Sequence, residues 1–116
     1  MSSGMRSTML DRMATSNRYA GRPMLRLLEC YVLWAIGELG EKEEARLGQM
    51  ESKLRQVFNQ QGDWREIVSR TMEMPANIPD LIRAKWTENV EIAKRHSTEL
   101  DPQQFAEMFV DANLVK

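Results

Sequence analysis

The stretch from Met24 to Leu39 sets the main requirement that a fold of this chain must meet, because 12 of its 16 residues are apolar. An ordinary surface helix carries one apolar stripe and an opposite polar face. A helix of this composition needs cover on nearly all sides, and a chain of 116 residues has few other segments that can supply it. We predict that this stretch is the central helix of a compact bundle or pairs with a second copy of the chain.

Helical signals dominate the remaining sequence, whereas the alternation of apolar and polar residues that is typical of strands is nowhere sustained. Proline, glycine and capping residues place the helix ends. The predicted helices are Pro23–Leu39, Glu41–Asn59, Asp63–Glu73, Pro79–His96 and Pro102–Asn113. We therefore predict an all-α fold, a compact bundle of four to five helices with a central apolar helix.

Two of these helix starts match the capping box, in which side chains satisfy the first free backbone N–H groups. The pairs are Asp63 with Glu66 and Asp101 with Gln104. The second helix is amphipathic, because spacings of three and four place five apolar residues on one side: Leu47, Met50, Leu54, Val57 and Phe58.

Residues 1–22 differ from the rest of the chain in composition. They are rich in Ser, Thr and Met, and four arginines outnumber one acidic residue: Arg6, Arg12, Arg18, Arg22 and Asp11. Chain ends of this polar kind are commonly disordered. We predict a disordered basic N-terminal tail at residues 1–22 and a single helical domain at residues 23–116, with a transit peptide or a basic arm as alternatives for the tail.

Composition argues against several classes of protein. Cys30 is the only cysteine, so a disulfide within the chain is excluded and a reducing, cytoplasmic location is expected. The 16 Lys and Arg residues nearly balance the 17 Asp and Glu residues, so no overall field attracts nucleic acid or anionic lipid. The apolar stretch is shorter than the ~20 residues that cross a membrane, and it contains Arg26 and Glu29. We expect no membrane insertion.

Residues that usually carry catalysis or bind metals are sparse. His96 is the only histidine, and Glu91 precedes it by five residues, rather than the three or four that would place both on one helix face. Cys30 lies among apolar residues, where a thiol has a raised pKa and low reactivity. We interpret the acidic cluster around the second helix start as solvated: Glu38, Glu41, Glu43 and Glu44. We predict no enzymatic activity and no catalytic, cofactor or metal site.

The apolar stretch is therefore the main functional candidate. Small residues along it would permit close approach of another helix, and a symmetric dimer is the simplest such assembly. We predict a small non-enzymatic protein that acts through protein–protein association, as a homodimer or with another protein. The candidate association surface consists of Cys30, Leu33, Trp34, Gly37 and Gly40.

Two other functions stay open. A nucleic-acid-associated regulator could combine the basic N-terminal arm with basic residues of the later helices, although acidic residues interleave with nearly all of them: Arg65, Arg70, Arg83, Lys85, Lys94 and Arg95. A small-molecule-binding bundle could hold a lipidic or aromatic ligand between helices. Its polar contacts would come from Glu29, Arg26 or Tyr31.

Overall fold

The structure, a computed structural model, describes residues 19–20 and 22–114, and these residues contain helices but no strand. The helices are α1 (Pro23–Ala35), α2 (Glu41–Phe58), α3 (Trp64–Thr71), α4 (Ile78–Arg95) and α5 (Pro102–Phe109), and a π-helical segment, Val110–Leu114, follows α5. The prediction of an all-α bundle is confirmed. The tail prediction for residues 1–18 and 21 lies outside the described residues.

α1 lies at the centre of the bundle. It packs against α3, α4, α5 and the π-helical segment, whereas α2 packs mainly against α3. Val32 of α1, Ile67 of α3, Ile82 of α4 and Ala106 of α5 are all fully buried. Because several helices cover α1, its apolar residues are removed from water within a single chain.

Asp63 and Asp101 cap α3 and α5, but the complete capping box forms at α3, where Asp63 N also donates to Glu66 Oε1 at 3.5 Å, whereas α5 has the Asp101 half. The Asp63 carboxylate accepts a hydrogen bond from Glu66 N at 2.9 Å, and Asp101 accepts one from Gln104 N at 3.0 Å. A third acidic side chain, Glu51 of α2, accepts a hydrogen bond from Trp64 N at 2.8 Å. This last contact joins α2 to the first turn of α3, where a negative charge also interacts favourably with the helix dipole.

α1 ends earlier than predicted, at Ala35 instead of Leu39. Gly37 has a φ of 76°, and the N–H groups of Gly37 and Glu38 donate to Trp34 O and Leu33 O at 3.0 and 2.9 Å. These two bonds are the Schellman motif, which satisfies the last carbonyl groups of a helix. The chain then turns toward α2, so Leu39 belongs to the connection.

Candidate functional site

The five residues predicted to form an association surface differ in their exposure to solvent. Cys30 and Leu33 are buried within the single chain, and Trp34 is half-buried beside α3. Gly37 and Gly40 are exposed in the connection between α1 and α2. An association between copies would therefore have to use other residues than the buried pair.

A buried polar cluster lies around Glu29 of α1. The side chain of Glu29 is 0% exposed. Its Oε1 accepts hydrogen bonds from the Tyr19 hydroxyl, from Arg26 Nη1 at 3.3 Å and from Gln103 Nε2 at 3.0 Å. Burial and the hydrogen bond to Glu29 raise the pKa of Tyr19 to about 12. The phenol thus remains a donor at neutral pH and links the chain before α1 to the polar side of α1 and α5.

Arg26 connects this cluster to α2. Its Nε and Nη2 lie 3.1 and 3.0 Å from Glu43 Oε1, and the Cys30 thiol donates to the same oxygen at 3.4 Å. Arg46 pairs with the other oxygen of Glu43. Partial burial alone would raise the pKa of Glu43, but the thiol and the two guanidinium groups hold this pKa below its ordinary value. At neutral pH Glu43 is therefore an ion that accepts hydrogen bonds on both oxygens.

The Cys30 thiol has the opposite shift. Burial raises the pKa of Cys30 to about 12, even though the nearby Arg26 guanidinium acts to lower it. Because the thiolate is the reactive form of cysteine, this thiol is a poor nucleophile at neutral pH.

An apolar groove opens between α1 and α2, next to these charged residues. It has a volume of about 480 Å³, and we call it the apolar groove. The apolar side chains that line it are Met24, Leu27, Leu47, Met50, Leu54, Val57 and Phe58. The remaining lining residues form what we call its charged end: Arg26, Glu43, Arg46 and the neutral thiol of Cys30. The groove exists because α2 packs on α3 and leaves space beside α1.

A second groove adjoins the charged end, and we call it the polar groove. It has a volume of about 710 Å³ and shares Arg26, Glu43 and Arg46 with the apolar groove. Its other lining residues are Leu33, Glu38, Leu39, Gly40, Lys42, Asp101, Pro102 and Gln103. The three shared side chains therefore lie between the apolar groove and a groove lined by more charged residues.

The structure separates the three polar contacts expected for a small-molecule-binding bundle. Arg26 lines both grooves, and Glu29 is buried behind it. Tyr31 instead contacts Trp34, with ring centres 5.5 Å apart, and lines a separate shallow hollow near α3. Only one of the three is thus available to a ligand in the apolar groove.

Most of the basic residues considered for nucleic-acid binding face a carboxylate. Their ion pairs are Arg65 with Asp63, Arg70 with Glu66, Arg83 with Asp80, Lys85 with Glu88, and Lys94 with Glu91. This pairing lowers the positive potential that nucleic-acid binding requires. The basic arm itself lies mainly outside the described residues.

Within residues 19–20 and 22–114, no three His, Cys, Asp or Glu side chains are grouped so that they could hold a metal ion. None of the helices described there has both the length and the apolar composition to cross a bilayer.

Comparison of the chain with protein-family models, curated proteins and solved structures gave no match. Its function is therefore inferred from its own residues.

The sequence reasoning missed the apolar groove, although its signal was present in the apolar stripe of α2. That stripe contains more apolar residues than α3 covers, so Met50 and Val57 stay exposed while Leu47 and Leu54 are buried.

Proposed function

We propose that this protein is a non-enzymatic binding protein whose apolar groove takes one small apolar ligand. The groove carries the proposal, because seven apolar side chains and four polar ones line about 480 Å³. Ligand sites commonly measure about 300 to 1,000 Å³ and combine an apolar lining with a few polar groups. Met50 is 38% exposed and Val57 64% exposed, so a ligand would remove apolar surface from water.

The chemistry of the charged end supports binding rather than catalysis. A nucleophilic thiol needs a lowered pKa, whereas the pKa of Cys30 is raised by burial. A carboxyl group that acts as acid or base near neutral pH needs a raised pKa, whereas the pKa of Glu43 is lowered by its partners despite partial burial. Both groups are better suited to holding α1 and α2 at a fixed spacing.

Binding of Nile red tests this proposal, because this uncharged dye fluoresces strongly only in apolar surroundings. We expect saturable binding of one dye per chain. Val57→Glu should weaken binding at least tenfold, since it places a carboxylate in the apolar wall. Leu81→Glu is the matched control, because Leu81 is exposed on α4 and does not line the groove. Equal dye binding by wild type and a folded Val57→Glu variant would contradict the proposal.

A second candidate function is homodimerisation through the same region. α2 carries both a groove wall and an exposed apolar edge at Met50 and Val57. Two copies related by a twofold axis could each place this edge against the other, as isologous interfaces do. A second copy and a small ligand would then compete for one surface.

Size-exclusion chromatography with light scattering at micromolar concentration separates these two candidates. A dimer that Val57→Glu converts to a monomer, with dye binding that weakens as protein concentration rises, would favour homodimerisation. A monomer that binds the dye at every protein concentration would favour the ligand-binding function.

A further inference from the structure

We propose that the ligand of the apolar groove is a free single-chain carboxylic acid, with its chain among the apolar side chains and its carboxylate at Arg46. This inference rests on the proposed function and adds the chemical class of the ligand. It combines the shape of the apolar groove with the distribution of charge at its charged end.

The shape of the groove favours a linear ligand. Lining residues recur on α2 at each turn, from Glu43 to Phe58. At 1.5 Å per residue these positions span about 20 Å. The charged residues are confined to the first turns of α2, and only apolar residues line its remainder. A lining that extends along α2, with charge at one end, matches a molecule with one apolar chain and one polar head.

The charge at the head position favours an anion. Both carboxylates of this region are shielded, since the side chain of Glu43 is 16% exposed and that of Glu29 is 0% exposed, and both contact Arg26. Within the charged end, Arg46 has the most exposed side chain, at 65% against 36% for Arg26 and 16% for Glu43. A cationic head would have to compete with both Arg26 and Arg46 for Glu43, whereas an anionic head can approach the exposed side of Arg46.

The guanidinium group of Arg46 can also supply the hydrogen bonds that a carboxylate needs. It has five N–H donors, and its contact with Glu43 is made by one nitrogen, Nη2. Arginine pairs with planar carboxylates through two parallel N–H donors where space permits. The exposed position of Arg46 at the junction of the two grooves leaves room for this approach.

Titration calorimetry with three ligands of equal chain length tests the inference, all used below their micellar concentrations: dodecanoate, dodecanol and dodecyltrimethylammonium. We expect wild type to bind dodecanoate about tenfold more tightly than the other two. Arg46→Gln should remove this preference while leaving dodecanol binding unchanged. Arg95→Gln is the matched control, because Arg95 is exposed on α4 outside both grooves. Each added methylene should tighten binding about three- to fourfold.

The outcomes separate this inference from the proposed function. Equal binding of all three ligands would overturn the carboxylic acid, and a preference for dodecanoate that persists in Arg46→Gln would overturn Arg46 as the site of its carboxylate; in both cases Nile red binding keeps the groove function. Absence of both dye and ligand binding would overturn both. Sedimentation with vesicles of anionic phospholipid forms a third arm. Co-sedimentation that Arg46→Gln abolishes would assign Arg46 to a membrane surface and overturn the free acid.

Discussion

Charged side chains usually lie at the protein surface, whereas Glu29 lies in the interior. It is fully buried, and its hydrogen-bond donors include Tyr19, Arg26 and Gln103. Two of these donors are 10 and 74 residues away in the chain. The sequence places Glu29 in an apolar helix but contains no local signal for partners at such separations, so its role could be found only from the fold.

Replacing Glu29 should destabilise the protein strongly. Glu29→Ala removes the carboxylate that accepts hydrogen bonds from Tyr19, Arg26 and Gln103. It also leaves the partly buried Arg26 guanidinium without this ion-pair partner. We expect the free energy of unfolding to fall by about 3 kcal/mol, measured by urea denaturation. Glu99→Ala is the control, because Glu99 is exposed outside the helices and should change stability by less than about 0.5 kcal/mol. Equal losses of unfolding free energy in Glu29→Ala and Glu99→Ala would show that the hydrogen bonds of Glu29 do not stabilise the fold.

Cys30 should make stability sensitive to alkaline pH. Burial raises the pKa of Cys30 from 9.0 to about 12, so the unfolded chain releases this proton at lower pH than the folded chain. The contribution is fully present below pH 9.0 and is lost as the pH rises toward 12. When the pH is raised from neutral through this window, wild type should lose more unfolding free energy than Cys30→Ala. Equal losses of unfolding free energy in wild type and Cys30→Ala would contradict the raised pKa of Cys30.

Helix ends show why some boundaries could be predicted and others could not. The starts at Asp63 and Asp101 depend on a side chain that accepts a backbone hydrogen bond, so residue type indicates them. Gly37 forms the turn that ends α1, because glycine adopts a positive φ without strain, but the predicted end at Leu39 was four residues too late. Glu73 and Ser97 adopt φ values of 51° and 54° after α3 and α4, although neither residue type favours that conformation. The α3 boundary was therefore placed two residues too late.

Two glycine-to-alanine substitutions should have opposite effects. Gly37→Ala forces a side chain into a backbone with φ 76° and should lower the free energy of unfolding by about 1 kcal/mol. Gly48 lies within α2, and an added Cβ would meet only Glu51 Oε1, at 3.9 Å. Gly48→Ala should therefore raise stability by about 0.5 to 1 kcal/mol. Thermal and urea unfolding check both variants, and changes of the same sign would argue against either the positive φ of Gly37 at the end of α1 or the placement of Gly48 within α2.

α2 shows how far the candidate site could be predicted. The apolar stripe was readable from spacings of three and four, and its burial against a core was the expected consequence. Which neighbour covers it is a tertiary property. Glu51 and Arg55 bind the start of α3 and the loop before it, through Trp64 N and Gly62 O. These contacts hold α2 against α3, so Val57 stays exposed beside α1.

α1 and α4 differ strongly in burial. α1 is enclosed by several elements, whereas α4 is covered mainly at its first turns, where Ile78 and Ile82 are buried. Toward its end, Ile92 is 40% exposed. Local opening costs least where few apolar groups are buried. Opening of α1 exposes the shared core, so it should require unfolding of the entire bundle.

Native-state hydrogen exchange should therefore show higher protection of backbone amides in α1 than in α4. We expect the amides near Val32 to exchange only through global unfolding, and those near Ile92 through local opening at much lower free energy. Val32→Ala should reduce protection throughout the bundle by about 2 kcal/mol, since Val32 is fully buried. Ile92→Ala, the matched control, should lower protection mainly within α4, since Ile92 is 40% exposed. Rapid exchange near Val32, or a bundle-wide loss of protection from Ile92→Ala as large as that from Val32→Ala, would contradict a core organised around α1.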